Sequence, residues 1–209
     1  MYHYAGNNPI KFVDPDGRQS TEDLPSVESL DTEKIARFTS AKASLINSLD
    51  EMINVLRSYD VNSDSFNAIL KSANKWLKIK IDSKETASDF ADKLQYMREV
   101  LSSLNSKNVK YDSNTSYLGY VQTSGLRLYK QPGTSGKTLA LGYKFFSITI
   151  RSHKVTSLDR EQTLIHELSH YCFDTDDLGY GQESCFNLDY TTADNWTYFY
   201  KDVFYDKKN

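Results

Sequence analysis

Residues 163–172 read TLIHELSHYC, and this stretch decides how the rest of the chain is interpreted. His166 and His170 stand four positions apart, so on a helix they share one face, one turn apart. Two imidazoles placed in this way reach a single metal ion. Glu167 follows the first of them, where its carboxylate can take a proton from a water on that metal. The reading requires a helix, and the flanks supply one. Thr156-Ser157-Leu158-Asp159 forms a cap, Asp159 and Glu161 suit the positive end of the helix dipole, and Leu164, Ile165, Leu168 and Tyr171 give apolar faces. The competing reading is a pair of surface histidines that happen to flank a glutamate.

A hydrolytic zinc takes three protein ligands and leaves a fourth position for water. The chain has four histidines, His3, His153, His166 and His170, so no third histidine follows the motif. The remaining ligand is then a carboxylate, or else Cys172 or Cys185. Asp174, Asp176, Asp177, Glu183, Asp189 and Asp194 all lie downstream, and spacing alone does not choose among them.

Upstream, apolar residues at three- and four-residue steps predict helices over 31–60, 64–79 and 85–104, with stripes such as Phe38, Leu45, Leu49, Met52 and Leu56 facing a core. After Lys107 the pattern turns aromatic and β-branched. Residues 117–121, 126–130 and 139–150 read as strands of a small antiparallel sheet. Between them, 133–138 imitates part of a phosphate-binding loop. Gln131 stands where that loop needs glycine, and strand-like residues follow where it needs a helix, so we read a hairpin loop. Thr192 opens a C-terminal helix with Ala193, Trp196, Tyr200 and Val203 on one side.

The 209 residues, 39% hydrophobic and 25% charged, describe a folded domain rather than a disordered chain. No apolar run approaches the roughly 20 residues a membrane-spanning helix needs, so no membrane span is expected. The N-terminal residues lack the pattern of a secretory signal peptide. A net charge of -3 without a basic stripe argues against nucleic acid as a partner.

Two resemblances refine this reading. Residues 1–18, MYHYAGNNPIKFVDPDGR, place Ile10 to Val13 between two turns, too short a piece to fold alone. Their spacing, YxYxxNNPxxxxDPxGR, resembles the end of the RHS-repeat (YD-repeat) core of polymorphic toxins. There the motif marks the junction between a delivery shell and a variable C-terminal toxin. The resemblance implies an RHS core end at 1–18, a polar linker at 19–30 and a toxin domain at 31–209. It also implies an RHS shell in the parent chain, a cognate immunity protein, and secretion or delivery into a target cell.

Residues 174–181, DTDDLGYG, carry the second. HExxH followed closely by GTxDxxYG is the signature of the aspzincin metallopeptidases, the family of deuterolysin and the peptidyl-Lys metalloendopeptidases. The chain is similar at Thr175, Asp177, Tyr180 and Gly181 and departs at Asp174, where that family has glycine. By this resemblance the fold is α+β: a mainly helical, zincin-like metalloprotease domain with a small antiparallel sheet and an HExxH active-site helix. It implies Zn2+ held by His166, His170 and Asp177, with Glu167 as general base and Tyr180 as hydrogen-bond donor to the oxyanion. Residues 192–196 resemble the family's NADxY segment, whose Asp, here Asp194, lines the site and orients its neighbours; Thr175 sits in the same support. Lys-specific members carry a Glu three positions after that Asp, and this chain has Thr197. Cys172 and Cys185 flank the Asp177 segment and either bridge or stay free.

The expected function is therefore a zinc endopeptidase toxin domain acting on a protein or peptide substrate. The alternatives are a catalytically silent binding module of the same fold and a metal-dependent hydrolase of a non-peptide substrate.

Overall fold

A computed structural model describes residues 24–115, 117–123, 137–150, 152–178 and 182–205. The junction motif at 1–18, the strand expected at 126–130, and Tyr180 and Gly181 lie outside the described residues.

Three helices form the body. α1 (Thr32–Ser58) begins where the Asp31 side chain accepts the Lys34 N–H at 2.8 Å, and it ends at Tyr59 in left-handed backbone, φ 50°. Its predicted stripe, Phe38 through Leu56, is buried. α2 (Asp64–Ser72) is capped by Ser63 and runs on into a π-helical turn (Ala73–Leu77) that Lys78 closes at φ 55°. α3 (Lys84–Ser103) opens with a capping box between Ser83 and Thr86. It packs along α1, where Arg98 forks onto Asp50 through Nε at 2.9 Å and Nη2 at 3.2 Å.

The sheet comprises β1 (Lys110–Asp112), β2 (Gly119–Thr123) and β3 (Lys137–Gly142) in the order β1-β3-β2. β2 and β3 pair antiparallel, as expected, and β1 is added to the other side of β3 in parallel. The chain entering α1 lies against the free side of β1. Tyr111 N–H donates to Pro25 O at 2.8 Å and Val27 N–H to Val109 O at 2.9 Å. Val27 is fully buried there, so the stretch read as linker is folded onto the domain from Leu24 onward.

The strand expected over 139–150 is interrupted. After Gly142 the chain makes a helical turn, α4 (Tyr143–Phe146), that drives Phe145 and Phe146 into the core. A Cβ on Gly142 would sit 2.1 Å from the Tyr117 carbonyl oxygen, so the turn requires glycine. A small antiparallel hairpin, β4 (Thr149–Ile150) and β5 (His153–Lys154), follows and leaves His153 exposed.

α5 (Ser157–Phe173) carries the HExxH residues and is surrounded by α1, α3 and α7 (Ala193–Phe204), with the short α6 (Gln182–Cys185) before α7. Thr156 and Asp159 form its capping box, the signal anticipated in the sequence. Aromatic rings bind these helices together: Phe173 stacks on Trp196 at 5.2 Å, and Phe90 meets Phe199 edge-on at 5.5 Å. Fully burying a ring such as Phe90 or Phe199 contributes about 1.5–3 kcal/mol. The buried Arg160 anchors the first turn of α5 by donating to the carbonyls of Phe145 and Ser147, both at 2.8 Å. Glu161, equally buried, accepts hydrogen bonds from Ser157 Oγ (2.7 Å), Tyr200 OH (2.5 Å) and Tyr205 OH (3.0 Å), fastening α7 to α5. Among the described residues no helix is long and apolar enough to cross a membrane.

Candidate metal centre

The helical spacing of His166 and His170 brings their Nε2 atoms to 3.2 Å from each other. Beyond the end of α5 the chain turns back and delivers Asp177, whose Oδ1 lies 3.2 Å from His166 Nε2 and 3.3 Å from His170 Nε2. Of the six downstream carboxylates, Asp177 is the one that meets both histidines among the described residues. The others have different places. Asp174 pairs with Lys137, Asp189 caps the turn at Thr191, Glu183 is exposed, and Asp194 contacts the far side of His166.

Each imidazole is held from behind. His166 Nδ1 lies 3.1 Å from Asp194 Oδ1, and His170 Nδ1 donates to the Thr175 carbonyl at 2.7 Å. With Nδ1 as the donor, the Nε2 lone pair of each ring is left to face the third ligand position. The Thr175 hydroxyl, 3.1 Å from His170 Nδ1, is itself 2.8 Å from Ser169 Oγ, which donates to His166 O at 2.7 Å. Backbone pairing fixes the two supporting segments to each other. Asp176 N–H donates to Thr191 O at 2.8 Å and Ala193 N–H to Asp176 O at 3.2 Å, which ties the ligand loop to the start of α7.

The donor set fits zinc. Two imidazole nitrogens and one carboxylate oxygen are the ligands of a hydrolytic zinc site, and a tetrahedral ion about 2.0–2.1 Å from each spaces them by about 3.3 Å. The observed separations of 3.2–3.3 Å match that spacing. Asp177 Oδ1 is buried and, beyond its 3.2 and 3.3 Å approaches to the two imidazoles, makes no well-formed hydrogen bond at the point of convergence.

Charge coupling is strong here. Burial by itself disfavours the charged His166 ring, but Asp177 and Asp194 outweigh it and raise its pKa to about 10. His170 shifts upward too, with burial opposed by Asp177. Burial pushes Asp177 up, yet the two imidazoles hold it well below the usual carboxylate range. Glu167 has no cation in contact, and burial raises it above an ordinary glutamate.

Glu167 is 4% exposed and its Oε2 has no hydrogen-bond partner. It lies under β2, where a Cβ on Gly119 would come within 3.1 Å of Glu167 Cγ and 3.3 Å of its Oε1. The missing side chain at 119 is what lets the strand pass so near the carboxylate. Sequence reasoning did not anticipate Gly119, Ser169 or the buried Lys137. Ser169 was signalled only as the polar residue on the inner face of an apolar helix. Tyr180, the expected oxyanion donor, lies outside the described residues. Cys172 and Cys185 are unbridged and buried, with Cys185 Sγ 4.0 Å from Asp194 Oδ2.

The family model for aspzincins, described as lysine-specific metallo-endopeptidase, matches residues 69–201. Among solved structures, a zinc peptidase from Grifola frondosa superposes with a TM-score of 0.50 at 18% identity, covering 83% of this chain and 97% of that one. This is a likeness of fold. No curated protein matches the chain in sequence.

Proposed function

The chain belongs to the aspzincin metallopeptidase family, and we propose that it is a zinc-dependent endopeptidase serving as the C-terminal toxin domain of an RHS-type polymorphic toxin. The observation that carries the peptidase reading is the convergence of His166 Nε2, His170 Nε2 and Asp177 Oδ1 beside a buried Glu167 with an unpartnered oxygen.

His166, His170 and Asp177 would hold zinc, which when bound supplies a Lewis acid and lowers the pKa of a water to about 7. Glu167 accepts a proton from the attacking water and returns it to the leaving amine nitrogen as the peptide bond breaks. Asp194 and the Thr175 carbonyl keep the two rings turned toward the ligand position. Tyr180, by resemblance, donates a hydrogen bond to the oxyanion that develops on the scissile carbonyl. A preference for lysine is not part of this proposal. Thr197 stands where the Lys-specific members carry Glu, and its buried hydroxyl has no hydrogen-bond partner of its own.

The toxin assignment is supported by residues 1–18 and their RHS-like junction spacing. On that reading the domain is delivered into a target cell as part of a larger protein, and its partners are the RHS shell, a protein substrate and a cognate immunity protein.

Zinc content and casein cleavage, measured on the purified chain with and without a chelator and alongside Glu167→Gln, test the enzymatic claim. Stoichiometric zinc with chelator-sensitive cleavage that the variant lacks is the expected result. Zinc without cleavage of any peptide library would redirect the reading to a non-peptide substrate. No bound zinc would favour a silent binding module.

A further inference from the structure

Lys137 is left over by the metal reading. It opens β3, its side chain is 3% exposed, and its ammonium meets three acceptors. These are the carbonyl oxygens of Tyr171 at 2.6 Å and His170 at 3.1 Å, and Asp174 Oδ1 at 3.0 Å. The three ammonium protons are thus matched by three acceptors, and the Tyr171 hydroxyl donates back to the Lys137 carbonyl at 3.0 Å. All of this happens at the C-terminal end of α5, where the last carbonyls have no helical partners and the dipole favours a cation.

Asp174, the residue on which α5 ends, adopts φ 52° and ψ 37°. That left-handed conformation normally falls to glycine, and a side chain there needs something to hold it. Lys137 is that something. From Asp174 the chain passes directly to Thr175, whose carbonyl takes the His170 Nδ1 proton at 2.7 Å, and then to Asp177. The angle at which the chain leaves the helix therefore sets both the rear support of one ligand and the position of another.

We propose that Lys137 and Asp174 act as a coupled pair of positioning residues for the metal centre. The ammonium closes the end of the active-site helix and holds Asp174 in the left-handed turn that brings Thr175 and Asp177 to His170. The proposal rests on the zinc-site reading above and concerns the residues that aim the ligands, without contact to the metal itself.

The test measures zinc affinity by chelator competition, together with the visible spectrum of the cobalt-loaded chain, which reports ligand geometry. Four variants are compared: Lys137→Met, Asp174→Gly, Asp174→Ala and the Lys137→Met/Asp174→Gly double. Lys137→Met is expected to weaken zinc by about 10–100-fold, the range seen when supports of metal ligands are removed, and to alter the cobalt bands. Asp174→Gly should stay close to the parent, because glycine takes the turn unaided. Asp174→Ala loses the same ion pair but resists the turn, so it should weaken zinc and shift the spectrum. The double variant should bind better than Lys137→Met alone, since no unpaired carboxylate remains. If Lys137→Met fails to fold, the contrast of alanine with glycine at 174 still decides. A zinc-binding parent whose variants keep its affinity and spectrum would overturn the pair alone. A parent that binds no metal would sink the zinc-site reading and the pair with it.

Discussion

The two halves of α5 treat the same side chain in opposite ways. Glu161, near the N-terminal end, and Glu167, in the middle, are both buried, at 1% and 4% exposure. Glu161 is saturated: three hydroxyl groups donate to its two oxygens, and the oxygen of one of the donors, Tyr200, lies 3.1 Å from Ser48 Oγ, which can donate to it. Glu167 Oε2 has no hydrogen-bond partner, and the nearby Asp177 Oδ1 meets only the two imidazoles, without a well-formed hydrogen bond, among the described residues. A satisfied buried carboxylate fastens helices, whereas an unsatisfied one carries a cost that the fold retains only where the lone pair has a use. The same helix is thus glue at one end and chemistry at the other, and the difference can be broken by experiment from either side.

The largest expected effect is on the unsatisfied side. Glu167→Gln keeps the shape and removes the base, so cleavage should fall by about 10²–10⁴-fold while bound zinc is unchanged. Unfolding of the metal-free chain in urea should show no loss of stability, because a buried charge without a partner has been removed. A variant that cleaves like the parent would erase the distinction between the two glutamates.

Next comes competition between protons and metal. His166 is raised to about 10 in the metal-free chain, so at neutral pH its ring carries a proton that zinc must displace. Zinc affinity should therefore climb with pH toward about 10. The slope per proton displaced is about tenfold per pH unit. Calorimetry in buffers of different ionisation enthalpy should register proton release on zinc binding. The linkage to folding has the matching sign. A raised histidine stabilises the metal-free fold fully below its unfolded value near 6.5, and that stabilisation is lost as pH rises through about 10. The zinc-loaded chain should lack this dependence.

On the saturated side, Glu161→Gln should cost about 1–3 kcal/mol in stability, read from urea unfolding, by disturbing hydrogen bonds to a charged acceptor. Any change in zinc affinity should be small beside that of Glu167→Gln on cleavage. The smallest effect belongs to Gly119→Ala. Its new methyl group would press on Glu167 Cγ at 3.1 Å, so a decrease of a few-fold in cleavage is expected with zinc content intact.

The parts that sequence periodicity made legible are those whose determinants are local. α1 was readable because Asp31 caps it and its apolar residues repeat each turn, and α5 because Thr156 and Asp159 close a capping box ahead of the histidines. What escaped depends on partners distant in the chain. The π-helical turn at 73–77 follows from packing, with Trp76 Nε1 donating to Asp202 at 2.6 Å and Leu77 O accepting from Tyr190 N–H at 3.1 Å. The parallel addition of β1 and the helical break after Gly142 are likewise set by the core and not by propensity. At the site, the histidine pair and its glutamate were visible from spacing, but the six downstream carboxylates were equivalent until a resemblance singled out Asp177. Lys137 shows the limit most clearly. Read as part of a loop that imitates a phosphate site, it is a buried cation whose acceptors lie more than thirty residues away.

Cys172 and Cys185 carry a further consequence. Burial pushes their thiols up to about 12 and about 11, so almost no thiolate exists at neutral pH. Neither glutathione nor a mild oxidant has a nucleophile to engage, and the domain is held together without a covalent cross-link. A domain stapled by disulfides loses several kcal/mol, typically about 2–5, when it enters a reducing cytosol. With Cys172 and Cys185 unbridged, this fold has no disulfide for a reducing medium to break.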